Sequence, residues 1–178
     1  MRAVTKLKKR YTKTRFARFV LPRQVNDMFR IMFVCHGNIC RSPMAEFILK
    51  DMVKRAGREG EFVIASSATS TEEIWNGIGN PVYPPTLEEL ARHGISCGGK
   101  RAVQLKKADA GLYDLFLCMD SANVRNARRI LGDGAEHKIK KLLDYADGGD
   151  VADPWYSDRF DIAYADIYRG CEALLKSL

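Results

Sequence analysis

The sequence predicts one α/β domain, a four-stranded parallel sheet with helices on both faces. Three observations carry that prediction. From Met28 onward, short apolar runs alternate with amphipathic stretches, the pattern of buried strands covered by helices. The chain has 178 residues, enough to bury one core without disulfides or a structural metal. Its five cysteines, Cys35, Cys40, Cys97, Cys118 and Cys171, form no C-x-x-C pair and no Cys/His cluster at zinc spacing. That argues against a secreted disulfide framework or a zinc site and for a reducing cytoplasm. No apolar run reaches the length of a membrane span, and the run at 16–21 is broken by Arg18, so no membrane partner is expected.

The elements follow in order. Residues 1–27 hold nine Lys/Arg and one acid, leaving 20 bases and 21 acids from Met28 onward, so the formal net charge of +7 resides in this leader. A basic stretch with little apolar periodicity reads as a disordered tail. No nucleic-acid partner is expected for the chain; a competing reading is that translation begins at Met28, just before the first strand, and 28–178 is the expected domain. Residues 31–34 are the first strand. Pro43 suits the first turn of a helix, Ser42 can cap it, and Met44, Phe47, Ile48 and Met52 space an apolar face ending at Gly57. Glu46 falls one place too late for a capping box. Residues 62–65 form a second strand, followed by a polar, turn-rich stretch over 66–85. Residues 86–93 are helical and stop at Gly94. A third strand lies within 112–119, a helix spans 123–131, a weak strand spans 138–142, and 160–178 make a closing helix through Phe160, Ala163, Ile167, Cys171, Leu174 and Leu175.

Between the first strand and the first helix stands VCHGNICRSP, residues 34–43. A loop entering a helix N-terminus presents unpaired N–H groups and the positive end of the helix dipole, which together make an anion cradle. Gly37 takes backbone conformations closed to other residues, and Asn38 tolerates the left-handed region while bracing a tight turn. Arg41 follows Cys35 by six positions, so a loop curling once around a phosphate returns its guanidinium to grip two oxygens. His36, Gly37, Asn38, Ile39, Cys40, Arg41 and Ser42 are then the phosphate-binding set. Cys35 lies beneath the phosphorus, where N–H dipoles and Arg41 favour its thiolate. A bare C-x5-R spacing means little in a chain with five Cys and 16 Arg. Adding the Gly, the Asn and the following Ser lowers the chance of coincidence roughly ten-thousand-fold.

Attack by Cys35 expels an alkoxide or a phenolate, and a phenol pKa of roughly 10 makes that leaving group poor unless it is protonated. With thirteen Asp and nine Glu, composition does not choose the donor. The segment GGDVADPWYSD, residues 148–158, holds the best candidate. Pro154 biases Asp153 toward extended backbone, and the neighbouring aromatics can desolvate it. Asp150 and Asp158 are the alternatives. Trp155, Tyr156 and Trp75 can wall a cleft that sandwiches an aromatic phosphoester.

These residues resemble the low-molecular-weight protein tyrosine phosphatase family, whose signature C-x-G-N-x-C-R-S-P is matched by Cys35 to Pro43. The resemblance covers 31–178 and takes in SSATS at 66–70, GNP at 79–81, RHGI at 92–95, CMD at 118–120 with Asn123 beyond, and DPWY at 153–156. Residues 1–27 have no counterpart in it. It implies hydrolysis of protein phosphotyrosine and small aryl phosphates through a phosphocysteine intermediate, with no metal or cofactor. Cys35 is the implied nucleophile, Arg41 and the loop amides bind the phosphate, and Asp153 acts as acid and then as base. Ser42 is implied to hydrogen-bond the thiolate. Phosphotyrosyl proteins are the implied partners, a bacterial-type tyrosine kinase or its targets among them, with the chain a monomer or weak dimer. Cys40 can close a disulfide with Cys35 under oxidant.

Three alternatives stand beside this expectation. Arsenate reductases resembling this fold need further cysteines poised for a disulfide relay, and Cys97 and Cys118 match that poorly. In phosphoarginine phosphatases a threonine tends to precede the second loop cysteine, where this chain has Ile39. A basic-tailed phosphate- or nucleic-acid-binding module needs neither Cys35 nor Asp153.

Overall fold

In the computed structural model the described residues are 28–178; the leader at 1–27 lies outside them. The fold is organised around β1 (Phe29–Cys35), in which every side chain from Ile31 to Cys35 is buried. β2 and β5 pair with its two edges in the sheet order β2-β1-β5-β6, and helices cover its two faces. β2 (Phe62–Ala68), β5 (Leu115–Cys118) and β6 (Ile139–Lys141) all run parallel to their neighbours, with Cys35 opposite Ala68 and Val34 opposite Cys118.

Alternation along β1 divides the core in two. Ile31, Phe33 and Cys35 pack with Met44, Ile48 and Leu49 of α1 (Arg41–Arg55) and with Ile167, Cys171 and Leu174 of α5 (Phe160–Ser177). Met32 and Val34 face the other way, against Phe116, Cys118, and Ala127 and Leu131 of α3 (Ser121–Leu131). The predicted class, a four-stranded parallel sheet with helices on both faces, is what the structure shows.

Helix ends follow the chemistry of their sequences. Gly57, at φ +66°, ends α1: its N–H bonds the Lys54 carbonyl at 3.0 Å and the Arg58 N–H bonds the Val53 carbonyl at 2.8 Å, a Schellman closure. α2 (Pro84–Arg92) closes the same way, with Gly94 on Ala91 and Ile95 on Leu90. Its start two residues before the predicted 86 reflects prolines at the first helical positions. α3 also starts two residues before the predicted 123, because Asp120 caps it by accepting from the Asn123 N–H at 2.6 Å.

Two expectations are corrected. Ser42 does not cap α1: the helix begins at Arg41 with Cys40 as its cap residue and no side-chain capping bond, which places Ser42 inside the first turn. The turn-rich stretch at 66–85 contains a hairpin, β3 (Ile74–Trp75) and β4 (Ile78–Gly79), paired antiparallel. Asn76 and Gly77 join its strands at φ 50° and 78°, the two left-handed residues that such a tight turn demands. Gly79 is obligatory here, since a β-carbon on it would fall 1.9 Å from the Ala102 carbonyl oxygen.

The chain passes from β1 outward to β2 and returns to the opposite side as β5. The connections leaving β1 and β5 therefore diverge, opening a crevice at the carboxyl ends of the strands. Cys35 is the last residue of β1 and stands at that crevice. Among the described residues no helix is long and apolar enough to cross a membrane.

Candidate active site

The loop between β1 and α1 closes over the Cys35 sulfur. Asn38 takes the left-handed conformation at φ 58°, and its N–H lies 3.3 Å from Cys35 Sγ. The carbonyls of Cys35, His36 and Ile39 accept from the N–H groups of Thr69, Ser70 and Tyr83, each at 2.9 Å. Neighbouring segments thus hold the loop from outside through those carbonyls.

A buried relay surrounds Ser42, whose hydroxyl also has the Ser67 carbonyl at 3.5 Å. Asn38 Oδ1 accepts from the Val103 N–H at 2.9 Å, so its amide nitrogen faces Ser66 Oγ and Ser42 Oγ, both at 2.8 Å. The Ser66 hydroxyl donates to Glu46 Oε2 at 2.5 Å, and Glu46 is itself paired with Lys50 and with Lys100. Each hydroxyl has one proton. Ser66 spends its proton on the carboxylate, so its oxygen is left to accept from Asn38. Ser42 Oγ likewise accepts from Asn38 and is free to donate to Cys35 Sγ at 3.0 Å. Ser42 thus serves the sulfur and not the helix end. Glu46, read only as a misplaced capping residue, anchors the relay.

Arg41, with a side chain 5% exposed, points each terminal nitrogen at a different carboxylate: Nη1 donates to Asp120 Oδ2 at 2.8 Å and Nη2 to Asp153 Oδ2 at 2.6 Å. Burial opposes its charge, but the negative charge at Cys35 and the two carboxylates outweigh burial and hold its pKa above the ordinary arginine value. Sequence reasoning gave Asp120 no role, because it bonds Arg41 across 79 positions and nothing local announces such a pair. Asp120→Asn is expected to keep the α3 cap while loosening Arg41, lowering kcat/KM for an aryl phosphate about tenfold. Asp120→Ala should add about 1 kcal/mol of lost capping, visible as a lower melting temperature than that of the Asn variant.

Asp153 divides its two oxygens. Oδ1 caps the short helix α4 (Pro154–Ser157) by accepting from the Trp155 N–H at 3.1 Å, while Oδ2 holds Arg41. Pro154 at the first helical position follows naturally. Cys35, Arg41 and Asp153 line one cleft together with His36, Gly37, Ile39, Cys40, Trp155 and Tyr156. Tyr83 braces that wall, its ring 5.3 Å from Trp155. Trp75 is not among the residues lining the cleft: it sits 70% exposed on the hairpin, and Glu72 and Glu73 of the preceding loop line the mouth instead. The alternative acids lie outside the lining as well. Asp150 accepts from Ser121 and Lys141, bonds that outweigh its desolvation and hold its carboxyl below the usual range. Asp158 ends α4 in the left-handed region.

All five cysteines are free and buried. Burial pushes the Cys40 thiol up from 9.0 to about 12, with the charges at Cys35 and Asp153 acting in the same sense against the Thr86 hydroxyl and Arg41. Burial likewise raises Cys97, Cys118 and Cys171. Alkylation with iodoacetamide at neutral pH, read by peptide mass mapping, is therefore expected to mark Cys35 and spare the other four. The unfolded thiol of Cys40 ionises first as pH rises, so its contribution to stability is lost between pH 9.0 and about 12. Among the described residues no three His, Cys, Asp or Glu side chains converge as metal donors.

Comparison with known proteins agrees with this geometry. The sequence profile described as "Low molecular weight phosphotyrosine protein phosphatase" matches residues 30–178. The low molecular weight protein-tyrosine-phosphatase YfkJ of Bacillus subtilis is 40% identical over 154 residues, 85% of this chain and 96% of its own. The low molecular weight phosphotyrosine protein phosphatase of Schizosaccharomyces pombe is 37% identical over 155 residues, 84% of this chain and 96% of its own. The crystal structure of YfkJ matches with a TM-score of 0.78, covering 84% of this chain and 94% of that one. That of SP-PTP from Streptococcus pyogenes matches at 0.75 with 35% identity, covering 85% and 93%. The match runs from β1 through α5 and takes in the loop around Cys35: the chain belongs to the low molecular weight phosphotyrosine protein phosphatase family.

Proposed function

We propose that the chain hydrolyses phosphotyrosine in proteins, and small aryl phosphates as surrogates, through a phosphocysteine intermediate. The observation that carries this is the Cys35 sulfur at the floor of the cleft, held by the Asn38 N–H and the Ser42 hydroxyl. Arg41, held by two carboxylates, lines the same cleft. A phosphate seated on Arg41 competes with Asp153 for Nη2 and frees that carboxyl to carry a proton. The sulfur attacks phosphorus, the bond from phosphorus to the phenolic oxygen breaks, and Asp153 protonates the departing oxygen. Water, deprotonated by Asp153, then attacks phosphorus and breaks the S–P bond, returning the thiolate and releasing inorganic phosphate. Loop amides and Arg41 stabilise the charge on the phosphoryl oxygens in both steps.

The phosphate site lies below the surface while Tyr156 stands exposed at the rim. A long flat side chain reaches from rim to floor and packs on Trp155; a seryl phosphate is too short. Kinetics on matched phosphotyrosyl, phosphoseryl and phosphoarginyl peptides test this: kcat/KM is expected to be highest by far for phosphotyrosine. A phosphoarginyl peptide hydrolysed faster would replace the reading, as would thioredoxin-dependent reduction of arsenate. A reducing cytoplasm suits a site whose nucleophile must stay a thiol. Partners are phosphotyrosyl proteins, a bacterial-type tyrosine kinase or its targets among them, met by a monomer or weak dimer.

A further inference from the structure

We propose that this cleft selects phosphotyrosyl segments carrying Lys or Arg beside the phosphotyrosine, and that Glu72 and Glu73 read those cations. The inference rests on the phosphatase reading and extends it from the phosphate at the floor to the peptide at the rim.

Glu72 and Glu73 line the same cleft as Cys35 and Arg41. The Glu72 side chain is 71% exposed and meets the His36 ring nitrogen at 2.9 Å. Glu73 accepts from Asn80 Nδ2 at 2.7 Å, and its Cγ stands 3.0 Å from where a β-carbon on Gly37 would be. Its stem is thus pressed against the nucleophile loop and its charge is fixed at the mouth. Arg41 is the one Lys or Arg among the described residues lining this cleft, and it is buried between Asp120 and Asp153. The rim therefore offers an incoming peptide two carboxylates on one side and the Trp155 and Tyr156 rings on the other.

A phosphotyrosine dianion approaching this mouth is repelled by both acids before Arg41 receives it. Lys or Arg next to the phosphotyrosine neutralises that repulsion and pairs with Glu72 or Glu73, whereas a flanking Asp or Glu adds to it. The chain's own sequence supplies a probe of this class: KKRYTKTR, residues 8–15, in which Tyr11 is surrounded by cations.

The test measures kcat/KM of the full chain on that octapeptide phosphorylated at tyrosine and on a counterpart with every Lys and Arg changed to Glu. Their ratio cancels any change in the common chemical step. The basic peptide is expected to be preferred about three- to tenfold, a margin set by exposed ion pairs and narrowed by added salt. In E72Q/E73Q the ratio should fall toward one. Glu72→Lys, at an exposed position that folding does not depend on, should lower the ratio further. Equal rates on the two peptides, or a preference that both variants leave untouched, would overturn the inference while leaving the phosphatase reading standing. Inertness toward both peptides and toward an aryl phosphate would sink both.

Discussion

Cys35→Ser is expected to abolish turnover, lowering kcat by about 10⁴-fold or more. A serine hydroxyl at this position keeps the hydrogen-bond geometry of the bowl but is not ionised near neutral pH. Ser42 would then face another hydroxyl in place of the sulfur. The loop itself should survive, because Asn38 is held by Val103, Ser66 and Ser42, and none of those bonds involves residue 35. Inorganic phosphate should therefore still bind, on Arg41 and the amides, with an affinity within about tenfold of the parent. Titration calorimetry with phosphate, set beside steady-state kinetics on an aryl phosphate, separates lost chemistry from a collapsed site. Loss of both activity and phosphate binding would instead mean that the cysteine holds the loop together.

Asp153→Ala is expected to cost about 10²- to 10⁴-fold in kcat on a phosphotyrosyl peptide, the usual span for a removed general acid. The loss should be smaller for p-nitrophenyl phosphate, whose leaving group needs less help. KM should not rise, because the substitution releases Arg41 Nη2 from its 2.6 Å bond while Asp120 still holds Nη1 at 2.8 Å. In the proposed mechanism the Asp153 carboxyl is the acid of the first step, so the loss should grow as the leaving oxygen becomes more basic. A flat penalty across leaving groups, or a loss confined to KM, would assign Asp153 to positioning Arg41 alone.

What the sequence made legible was local. The alternation along β1, the Gly57 and Gly94 stops and the loop between β1 and α1 all depend on neighbours within a few positions, and the structure places each close to where the residues predict. What it hid depends on contacts between distant segments. Arg41 meets Asp120, the cap residue of α3, and Glu46 faces Ser66 and Lys100 instead of the helix terminus. The reading of Ser42 as a cap failed through a helix boundary: with the first turn at Arg41, its hydroxyl points back to the sulfur. The hairpin at 74–79 carried a readable signal, Asn76-Gly77 between apolar residues, that a stretch rich in turn residues obscured. Trp75 was placed in the cleft for its aromatic character, but on a two-residue strand at the hairpin turn it projects to solvent, and the loop's charged residues face the mouth.

The central claim, that phosphate passes through Cys35, is tested most directly by rapid quenching. Enzyme mixed with an aryl phosphate in the presence of EDTA is stopped within the first turnover and mapped by mass spectrometry under conditions that preserve S–P bonds. The account expects a burst of phenol matched by phosphate on the peptide containing Cys35, decaying as inorganic phosphate appears. Full turnover with no phosphate on Cys35 at any quench time, or with phosphate on another residue, would contradict it.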